Sequence, residues 1–490
     1  TWCAAAGLGN VLPDHEWVLK EGLNGVIARA RGRLEELDLT EPGTISQYWF
    51  LQAVITANQA VINFAGRFAD RLAELAEQTS DGKRKQELLT MAENCRQVPA
   101  NPAESFWQAI QTVWFIQLVL QIETNGHAIS LGRFDQYLWP YYKNDVDSGV
   151  ITREFALELV ESFFIKANEI NKLRSWPDSE YFPGYHLAEN LAIGGQSADG
   201  KDAVNELTHI VLDATEEMGL TKPSVSLKWF EGTPDEFMHR VLQVVQAHKG
   251  GQPALYSDPS VMRILDNMGI AKEDLYSWAP VGCIEATVPG KWDFAAKGSW
   301  LNLAKVFEIT LNNGADPSSG ATLLPGDGDL GTFTSGEQIM KAYKRQLRYY
   351  MDLQVIVEHI SDEMHILHDQ NAFRSSLVHD CIERGKSLIE GGARYTADGG
   401  PTAGAVSVGD SLAAIQYVLF DKKLLTPQQL IHALQTNFED ESTSPAGAEI
   451  RQLLINKVPK FGNDDDYADR WTVEIDDFLG YTYNKELKSS

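Results

Sequence analysis

Long amphipathic helical patterns separated by short strand-like runs constrain the fold of this 490-residue chain more than any other feature. Apolar residues recur at positions i, i+3, i+4 and i+7 in four stretches: 16–38, 45–77, 103–123 and 152–171. Short strand-like runs lie between helical stretches, at 191–195, 225–229 and 403–408. This alternation predicts an α/β layered or barrel architecture rather than an all-α one.

The composition narrows the class of protein and its partners. Hydrophobic residues make up 43% of the chain, which is ordinary for a globular enzyme. The formal charge of −26 argues against nucleic acid or an anionic membrane as a partner, because both would repel the chain. The longest apolar run, Trp114 to Ile122, contains two glutamines and is too short to span a bilayer. We therefore expect a cytoplasmic protein.

The chain begins with Thr1-Trp2-Cys3, which resembles the interior of a domain more than a natural start. We expect a fragment, truncated at the front and at the back. No internal repeat, low-complexity tract or linker divides the sequence. Residues 1–490 are accordingly predicted to form a single domain.

Four cysteines are too few and too dispersed for a disulfide scaffold or a CxxC metal site. Cys95 follows a helical stretch and Cys381 lies in a helical pattern, and we predict that both are small buried hydrophobic residues. The glycine-rich segments lack the spacing of a phosphate-binding loop. The sequence therefore predicts neither a bound metal nor a nucleotide.

Cys283 is the cysteine that stands out. Gly282 precedes it and Pro280 and Pro289 bracket it, so it should lie on a tight loop that presents its thiol to a cavity. Glu285 would project to the same side if this stretch is extended, since side chains there alternate with a period of two.

Three interpretations of this pair remain open from the residues alone. The cysteine could be a structural loop residue beside a salt-bridged glutamate. A thiolate nucleophile is a second possibility, but the negative charge of Glu285 would disfavour the thiolate. One-electron chemistry at a neutral thiol, with the carboxyl group handling protons, is the third and fits the pair better than nucleophilic attack does.

Longer motifs carry a family resemblance. Gly282–Glu285, Gly298–Lys305 and Glu308–Gly314 resemble the active-site cysteine loop and following helix of the glycyl-radical enzymes. The resemblance extends over essentially the whole chain and includes Leu12–Asp14, Glu123–Tyr137, Asn190–Gly195, Gly391–Tyr395, Asp410–Ile415 and Lys460–Asp465.

The resemblance implies a ten-stranded α/β barrel surrounded by helices, with the Cys283 loop at its centre. It implies that a glycyl radical on a second loop removes a hydrogen atom from Cys283, whose thiyl radical then abstracts one from the substrate. A separate iron–sulfur, S-adenosylmethionine-dependent activase would install the radical, and the enzyme itself would bind no metal. We also expect a homodimer.

Residues that differ between the branches of the glycyl-radical enzymes indicate which branch this sequence resembles. Pyruvate formate-lyases carry two adjacent cysteines, whereas Ile284 follows Cys283 here. Glu285 matches the eliminating and decarboxylating branches, in which it would serve as acid and base. We predict a 1,2-elimination, of water above all, from a hydroxylated small metabolite. An arylacetate-type decarboxylase and a non-catalytic fragment are the alternatives.

The resemblance also implies a substrate pocket. His127 matches a hydroxyl-binding histidine, with Ala128 where diol enzymes often have serine. Asn10 replaces a histidine of the diol dehydratases, and Trp2 and Trp300 are predicted to face the same pocket.

One expected motif is missing. The family's radical motif, Arg-Val-small-Gly-Tyr, is absent from this sequence. Its nearest match, Phe478–Tyr481, is predicted to be a linker before the radical domain. The radical glycine should therefore lie outside this chain, and the fragment alone should be inactive.

Overall fold

A computed structural model describes residues 9–124, 126, 128–172, 175–181, 187–248, 251–295, 300–398 and 402–487. These residues form two compact units. The larger unit holds the described residues of 3–296 and 362–397, and the smaller unit holds those of 297–361 and 398–490. A single domain over residues 1–490 stays a prediction.

Helices account for most of the regular structure. In chain order they are α1 (His15–Glu35), α2 (Thr44–Gln78), α3 (Gly82–Gln97), α4 (Phe106–Thr124), α5 (Phe134–Tyr137), α6 (Trp139–Asp147), α7 (Arg153–Glu169), α8 (Trp176–Tyr181), α9 (Glu206–Met218), α10 (Asp235–Ala247), α11 (Asp258–Asn267), α12 (Lys272–Leu275), α13 (Leu303–Leu311), α14 (Gly336–His368), α15 (Ala372–Ser376), α16 (Cys381–Arg384), α17 (Ala405–Ile415), α18 (Pro427–Gln435), α19 (Gly447–Asn456) and α20 (Asp466–Tyr481). The four long helices predicted from the sequence are confirmed as α1, α2, α4 and α7. None of the described helices is both long and apolar enough to cross a membrane.

Local chemistry sets several helix ends. Asp14 begins α1 by accepting a hydrogen bond from the Trp17 backbone N–H, and Thr152 does the same for Phe155 at α7. Asn205 caps α9 in a reciprocal arrangement with Thr208. Such side-chain caps satisfy backbone donors that have no partner inside the helix.

The strands are short. In chain order they are β1 (Gly132–Arg133), β2 (Asn190–Gly194), β3 (Ser224–Trp229), β4 (Ala254–Ser257), β5 (Ala279–Val281), β6 (Glu285–Thr287), β7 (Trp292–Ala295), β8 (Leu301–Asn302), β9 (Tyr395–Asp398) and β10 (Thr402–Ala403). The strands β1, β2, β3 and β4 form one parallel sheet in that order, and the others form three two-stranded ladders. The predictions of strands at 191–195 and 225–229 are confirmed as β2 and β3, and the α/β class with them.

The two faces of the parallel sheet differ in chemistry. Leu191 and Ile193 of β2 and Val225 and Leu227 of β3 belong to the largest apolar cluster, together with side chains from α4, α7, α9 and α10. Connections through helices are what a parallel sheet requires, and they bury this outer face. On the other face β3 carries Ser224, Ser226 and Lys228, whereas β2 carries Asn190 followed by the small residues Ala192 and Gly194. Asn190 and Ser226 support the candidate site described below.

The strand predicted at 403–408 is wrong. Only Ala403 is in a strand, and α17 begins at Ala405 after Gly404, whose φ of +99° breaks the extended chain. Val408, Leu412 and Ile415 are all buried. Their spacing of four and three residues places them on one face of a helix. The helical pattern that continues to Ile415 therefore determines the structure of this segment, although residues 403–408 alone look like a strand.

The smaller unit has its own apolar core. Side chains from α13, α14, α17 and α20 meet there, with Phe307, Tyr343, Leu412 and Trp471 among them. Phe478–Tyr481, the predicted linker, forms the last turn of α20.

Candidate active site

Cys283 lies at the tip of a β-hairpin in the larger unit. The strands β5 and β6 pair antiparallel, with Val281 opposite Glu285, and residues 282–284 form the turn between them. The Cys283 side chain is exposed at this tip. The predicted tight loop at Cys283 is confirmed. The stretch is not extended, the condition under which Glu285 was expected on the same side, because the chain reverses at the cysteine and places the glutamate at the start of β6.

Glu285 stays beside the cysteine despite this reversal. Its carboxylate accepts a hydrogen bond from the backbone N–H of Ile284 at 2.9 Å. The carboxylate also lies over Gly282: a Cβ placed on that glycine would be 2.7 Å from Glu285 Oε2. The pair therefore meets across a tight turn rather than along one face of a strand.

Gly282 makes this geometry possible. Its φ of +67° lies in the left-handed region, and an added Cβ would also come within 3.2 Å of the Ala128 Cβ. A residue with a side chain would be strained by its backbone and would collide with the carboxylate.

We expect Gly282→Ala to destabilise the chain by about 1–2 kcal/mol from the left-handed conformation alone. The same change should push the Glu285 carboxylate off the turn, since the new methyl group occupies its place. Urea unfolding measures the first effect, and the alkylation rate of Cys283 measures the second. Gly269→Ala is a matched control, because Gly269 also has a positive φ of +86° but no atom within 4 Å of its Cβ position. Equal behaviour of the two variants would contradict the role given to the Gly282 contacts.

Two buried polar side chains hold the backbone of the turn. The Ser130 hydroxyl accepts hydrogen bonds from the N–H of Gly282 at 3.3 Å and of Asn190 at 3.1 Å. The Asn190 side-chain amide donates to the Gly282 carbonyl at 3.2 Å. Both backbone polar groups of the glycine are thus paired, as buried groups need to be.

The neighbouring strands complete this support. Ser226 of β3 donates to the Asn190 Oδ1 at 2.6 Å, and Tyr256 of β4 donates to the carbonyl of Cys283 itself at 2.8 Å. None of the four supporting side chains was predicted from the sequence as a site residue: Ser130, Asn190, Ser226 and Tyr256. The alternation of polar and apolar residues in Ser224–Trp229 was a partial indication, because it places the polar side chains of the strand on one face.

The surroundings keep the Cys283 thiol protonated. Although the side chain is exposed at the tip, the surrounding atoms of the hairpin partly exclude water from the sulfur, which raises the pKa of Cys283 above its ordinary value, and the nearby Glu285 carboxylate raises it further. Burial likewise raises the pKa of the Tyr256 hydroxyl. At neutral pH the sulfur is therefore a thiol with a hydrogen atom to give, which suits one-electron chemistry better than nucleophilic attack.

The predicted pocket residues are only partly described. His127 and Trp2 lie outside the described residues. Asn10 is buried with a φ of +53°, and it precedes Val11, whose carbonyl accepts the N–H of Ser130. Trp300 is half-exposed and belongs to the smaller unit. The roles of these four residues in binding substrate stay predictions.

Other residues of the family-like motifs organise the scaffold. The Arg133 guanidinium donates to the carbonyls of Gly194, Gln196 and Tyr276. Asp135 accepts from the Gly194 N–H and the Thr208 hydroxyl. These contacts order the loops that follow the strands. Cys95 and Cys381 are buried, as predicted.

The one cavity we describe lies elsewhere. It has a volume of about 530 Å³, sits in the smaller unit, and is lined by apolar side chains of α13, α17, α18 and α19 that include Phe307, Leu430 and Leu454. None of the predicted site residues lines it. In the part of the chain that the structure describes, no three His, Cys, Asp or Glu side chains are grouped to hold a metal ion.

Comparison with known proteins then identifies the family. Residues 2–487 match the family described as pyruvate formate lyase-like. The chain belongs to this family. A probable dehydratase from Escherichia coli is 38% identical over 478 residues, which cover 96% of this chain and 58% of the relative.

Solved structures agree with the family assignment. A structure concerned with 1,2-propanediol dehydration in Roseburia inulinivorans is 36% identical with a TM-score of 0.92, over 98% of this chain and 60% of its own. The glycerol-bound, B12-independent glycerol dehydratase from Clostridium butyricum is also 36% identical, with a TM-score of 0.91 over 99% and 60%. The predicted α/β barrel class of the family is therefore confirmed, while the count of ten strands stays a prediction.

Two further facts bear on activity. An indoleacetate decarboxylase from Tractidigestivibacter scatoligenes is 29% identical, below the values of the dehydratases just described. The chain spans somewhat under three fifths of the length of the curated relatives it matches.

Proposed function

We propose that this chain is the cysteine-bearing part of a glycyl-radical dehydratase that removes water from a hydroxylated small metabolite. The observation that carries the proposal is the hairpin tip. It presents one protonated cysteine with one carboxylate beside it, and no second cysteine follows. Relatives named as dehydratases of trans-4-hydroxy-L-proline and of (2S)-3-sulfopropanediol, at 35% and 33% identity, support the substrate class.

The family uses a glycyl radical, which would supply the unpaired electron that takes the hydrogen atom from Cys283. The exposed, protonated thiol fits that role. The Cys283 sulfur, then a thiyl radical, removes one hydrogen atom from a substrate carbon that bears a hydroxyl group. An S–H bond forms, a C–H bond breaks, and the unpaired electron passes to that carbon.

Glu285 handles the proton. Its carboxylate takes the proton of the retained hydroxyl group, which is far more acidic next to a radical centre. The neighbouring C–O bond then breaks, and the leaving hydroxide takes this proton from Glu285 and departs as water. The resulting carbon radical recovers a hydrogen atom from Cys283, which regenerates the sulfur radical. The net reaction converts a 1,2-diol into a carbonyl compound and water, and the carboxylate is restored.

The proposal also covers the radical, the substrate pocket and the assembly. The radical glycine would lie outside this chain, and an S-adenosylmethionine-dependent activase would install the radical. The enzyme itself would hold no metal. His127, Asn10, Trp300 and Trp2 would bind the substrate. A homodimer in the cytoplasm is the expected form.

A second candidate is an arylacetate-type decarboxylase. The indoleacetate decarboxylase relative favours it, as does Asn10, which cannot carry the charge of the histidine it replaces. Relatives named isethionate sulfite-lyase, at 33% identity, make sulfite an alternative leaving group for the same elimination.

A product screen tests the proposal. The full-length protein is activated without oxygen and offered 1,2-propanediol, glycerol, trans-4-hydroxy-L-proline, isethionate and indoleacetate in separate reactions. We expect a dehydrated carbonyl or imine product from a hydroxylated compound. Carbon dioxide from indoleacetate with no dehydration of any other compound would overturn the dehydratase in favour of the decarboxylase.

A further inference from the structure

Glu189 is a fully buried carboxyl group directly behind the candidate site. It immediately precedes Asn190, the residue that pairs with the carbonyl of Gly282. The catalytic step proposed above makes no use of it. A carboxyl group without solvent is costly in its charged form, so its presence needs an explanation.

Two glutamines from one face of α4 hold this carboxyl group. Gln117 and Gln121 both donate to Glu189 Oε1, at 3.2 and 2.6 Å. The Gln117 amide also donates to the carbonyl of Ile129 at 2.9 Å. The next residue, Ser130, is the one whose hydroxyl accepts from Gly282. Glu189 is thus tied both to the 128–131 segment and, through its own chain, to Asn190.

Three buried acceptor atoms in this cluster have no hydrogen-bond donor within the described ranges of the chain. Glu189 Oε2, Gln117 Oε1 and Gln121 Oε1 are all buried and have no hydrogen-bond partner among the described residues. All three are acceptors when the carboxyl group is ionised. A protonated carboxyl group changes this, because its O–H is a donor that can pair with a glutamine oxygen.

The charges facing Glu189 come from two lysines. Lys172, whose ammonium donates to the carbonyl of Gln121, and Lys222, whose ammonium donates to the carbonyl of Ile170, both favour the ionised carboxylate. The side chains that α4 directs at Glu189 are the two uncharged glutamines. The hydrogen bond from Gln117 also favours the ionised form, but burial outweighs it and the lysines and raises the pKa of Glu189 to about 7.

We propose that Glu189 is a positioning residue for the Cys283 hairpin, and that it holds the 128–131 segment and Asn190 in place as a neutral carboxylic acid. Ionisation removes the O–H that can pair with a glutamine oxygen, leaves the three buried acceptors without a donor among the residues described, and loosens the support beneath Gly282. The geometry at Cys283 thereby depends on pH through the ionisation of Glu189, which does not contact the substrate. It rests on the proposed function only in taking Cys283 as the reacting group.

The test compares Glu189→Gln with Glu189→Leu in the full-length protein, without any turnover. Glutamine keeps the shape and an N–H donor and cannot ionise, whereas leucine removes the polar group. Glu104→Gln is the matched control, since Glu104 is exposed at the start of the same helix region. Amide protection factors of residues 128–131, corrected for intrinsic exchange, are measured at pH 6 and pH 8.5, with the alkylation rate of Cys283 in parallel.

We expect protection in the wild type and in Glu104→Gln to fall about tenfold between pH 6 and pH 8.5, because the carboxyl group ionises across that range. Glu189→Gln should keep its protection at both pH values, and Glu189→Leu should lose it at both. A Glu189→Gln protein as pH-sensitive as the wild type would overturn the proposal. So would a Glu189→Leu protein with full protection. The product screen is independent of these outcomes.

Discussion

Replacing Cys283 with serine is expected to abolish turnover in the activated full-length protein while leaving the fold intact. An O–H bond is too strong to give up its hydrogen atom as a thiol does, so the first step cannot occur. The loss should reach the uncatalysed background, about 10⁶-fold or more. Since the side chain is exposed at the hairpin tip, the substitution should change the free energy of unfolding by no more than about 0.5 kcal/mol.

The measurement is turnover of the best substrate together with electron paramagnetic resonance of the activated protein. We expect the glycyl signal to form in the variant as it does in the wild type. Cys95→Ala is a suitable control, because Cys95 is buried away from the hairpin among the side chains of α2 and α4. Residual turnover of the serine variant well above background would reject the role of Cys283.

Replacing Glu285 with glutamine is expected to slow turnover by about 10²–10⁴-fold, the range for loss of a general acid–base group. Glutamine keeps the shape and can still accept the hydrogen bond from Ile284, so the turn should survive. What it loses is the capacity to carry a proton between the two hydroxyl groups. Glu273→Gln is the control, because Glu273 is an exposed acid on the short helix before the hairpin. This variant should turn over substrate at the wild-type rate.

The same substitution should also change the reactivity of the Cys283 thiol, which can be measured without forming the radical. The Glu285 carboxylate is one of two causes that raise the pKa of Cys283, and burial is the other. Removing the negative charge lowers this pKa, so more thiolate is present at a given pH. Alkylation of Cys283 at pH 8 should be faster in Glu285→Gln than in the wild type. Slower alkylation would mean that the carboxylate does not face the sulfur.

Much of the fold could be predicted because its determinants are local. The helices α2 and α7 each carry an apolar stripe with the helical period, and burial of that stripe follows. The helix α4 is apolar and buried on more than one face, and α1 is interrupted at Gly22, whose φ of +67° is not helical. The strand predicted at 403–408 failed because a short apolar run has no period of its own. Residues up to Ile415, beyond the run, were needed to reveal the helix.

The site was predictable only where one sequence segment contains it. Cys283 and Glu285 are two residues apart, so their proximity did not depend on the fold. Their geometry did, because Gly282 turns the chain and the pair meets across a hairpin. The supporting residues come from separate strands, as Ser226 and Tyr256 show, and Glu189 joins α4 to β2. Contacts between distant segments follow from strand register, which one sequence does not reveal.

In the proposed mechanism, Cys283 moves the hydrogen atom and Glu285 moves the proton. Deuterium exchange in recovered substrate tests it most directly. The substrate carries deuterium on the carbon from which the hydrogen atom is taken, and the activated full-length protein is incubated with it in ordinary water. We predict that Glu285→Gln, which abstracts but eliminates slowly, washes deuterium out of unreacted substrate through the exchangeable thiol. Cys283→Ser should return the substrate fully labelled. Washout by the serine variant, or elimination by the glutamine variant at the wild-type rate, would contradict the account.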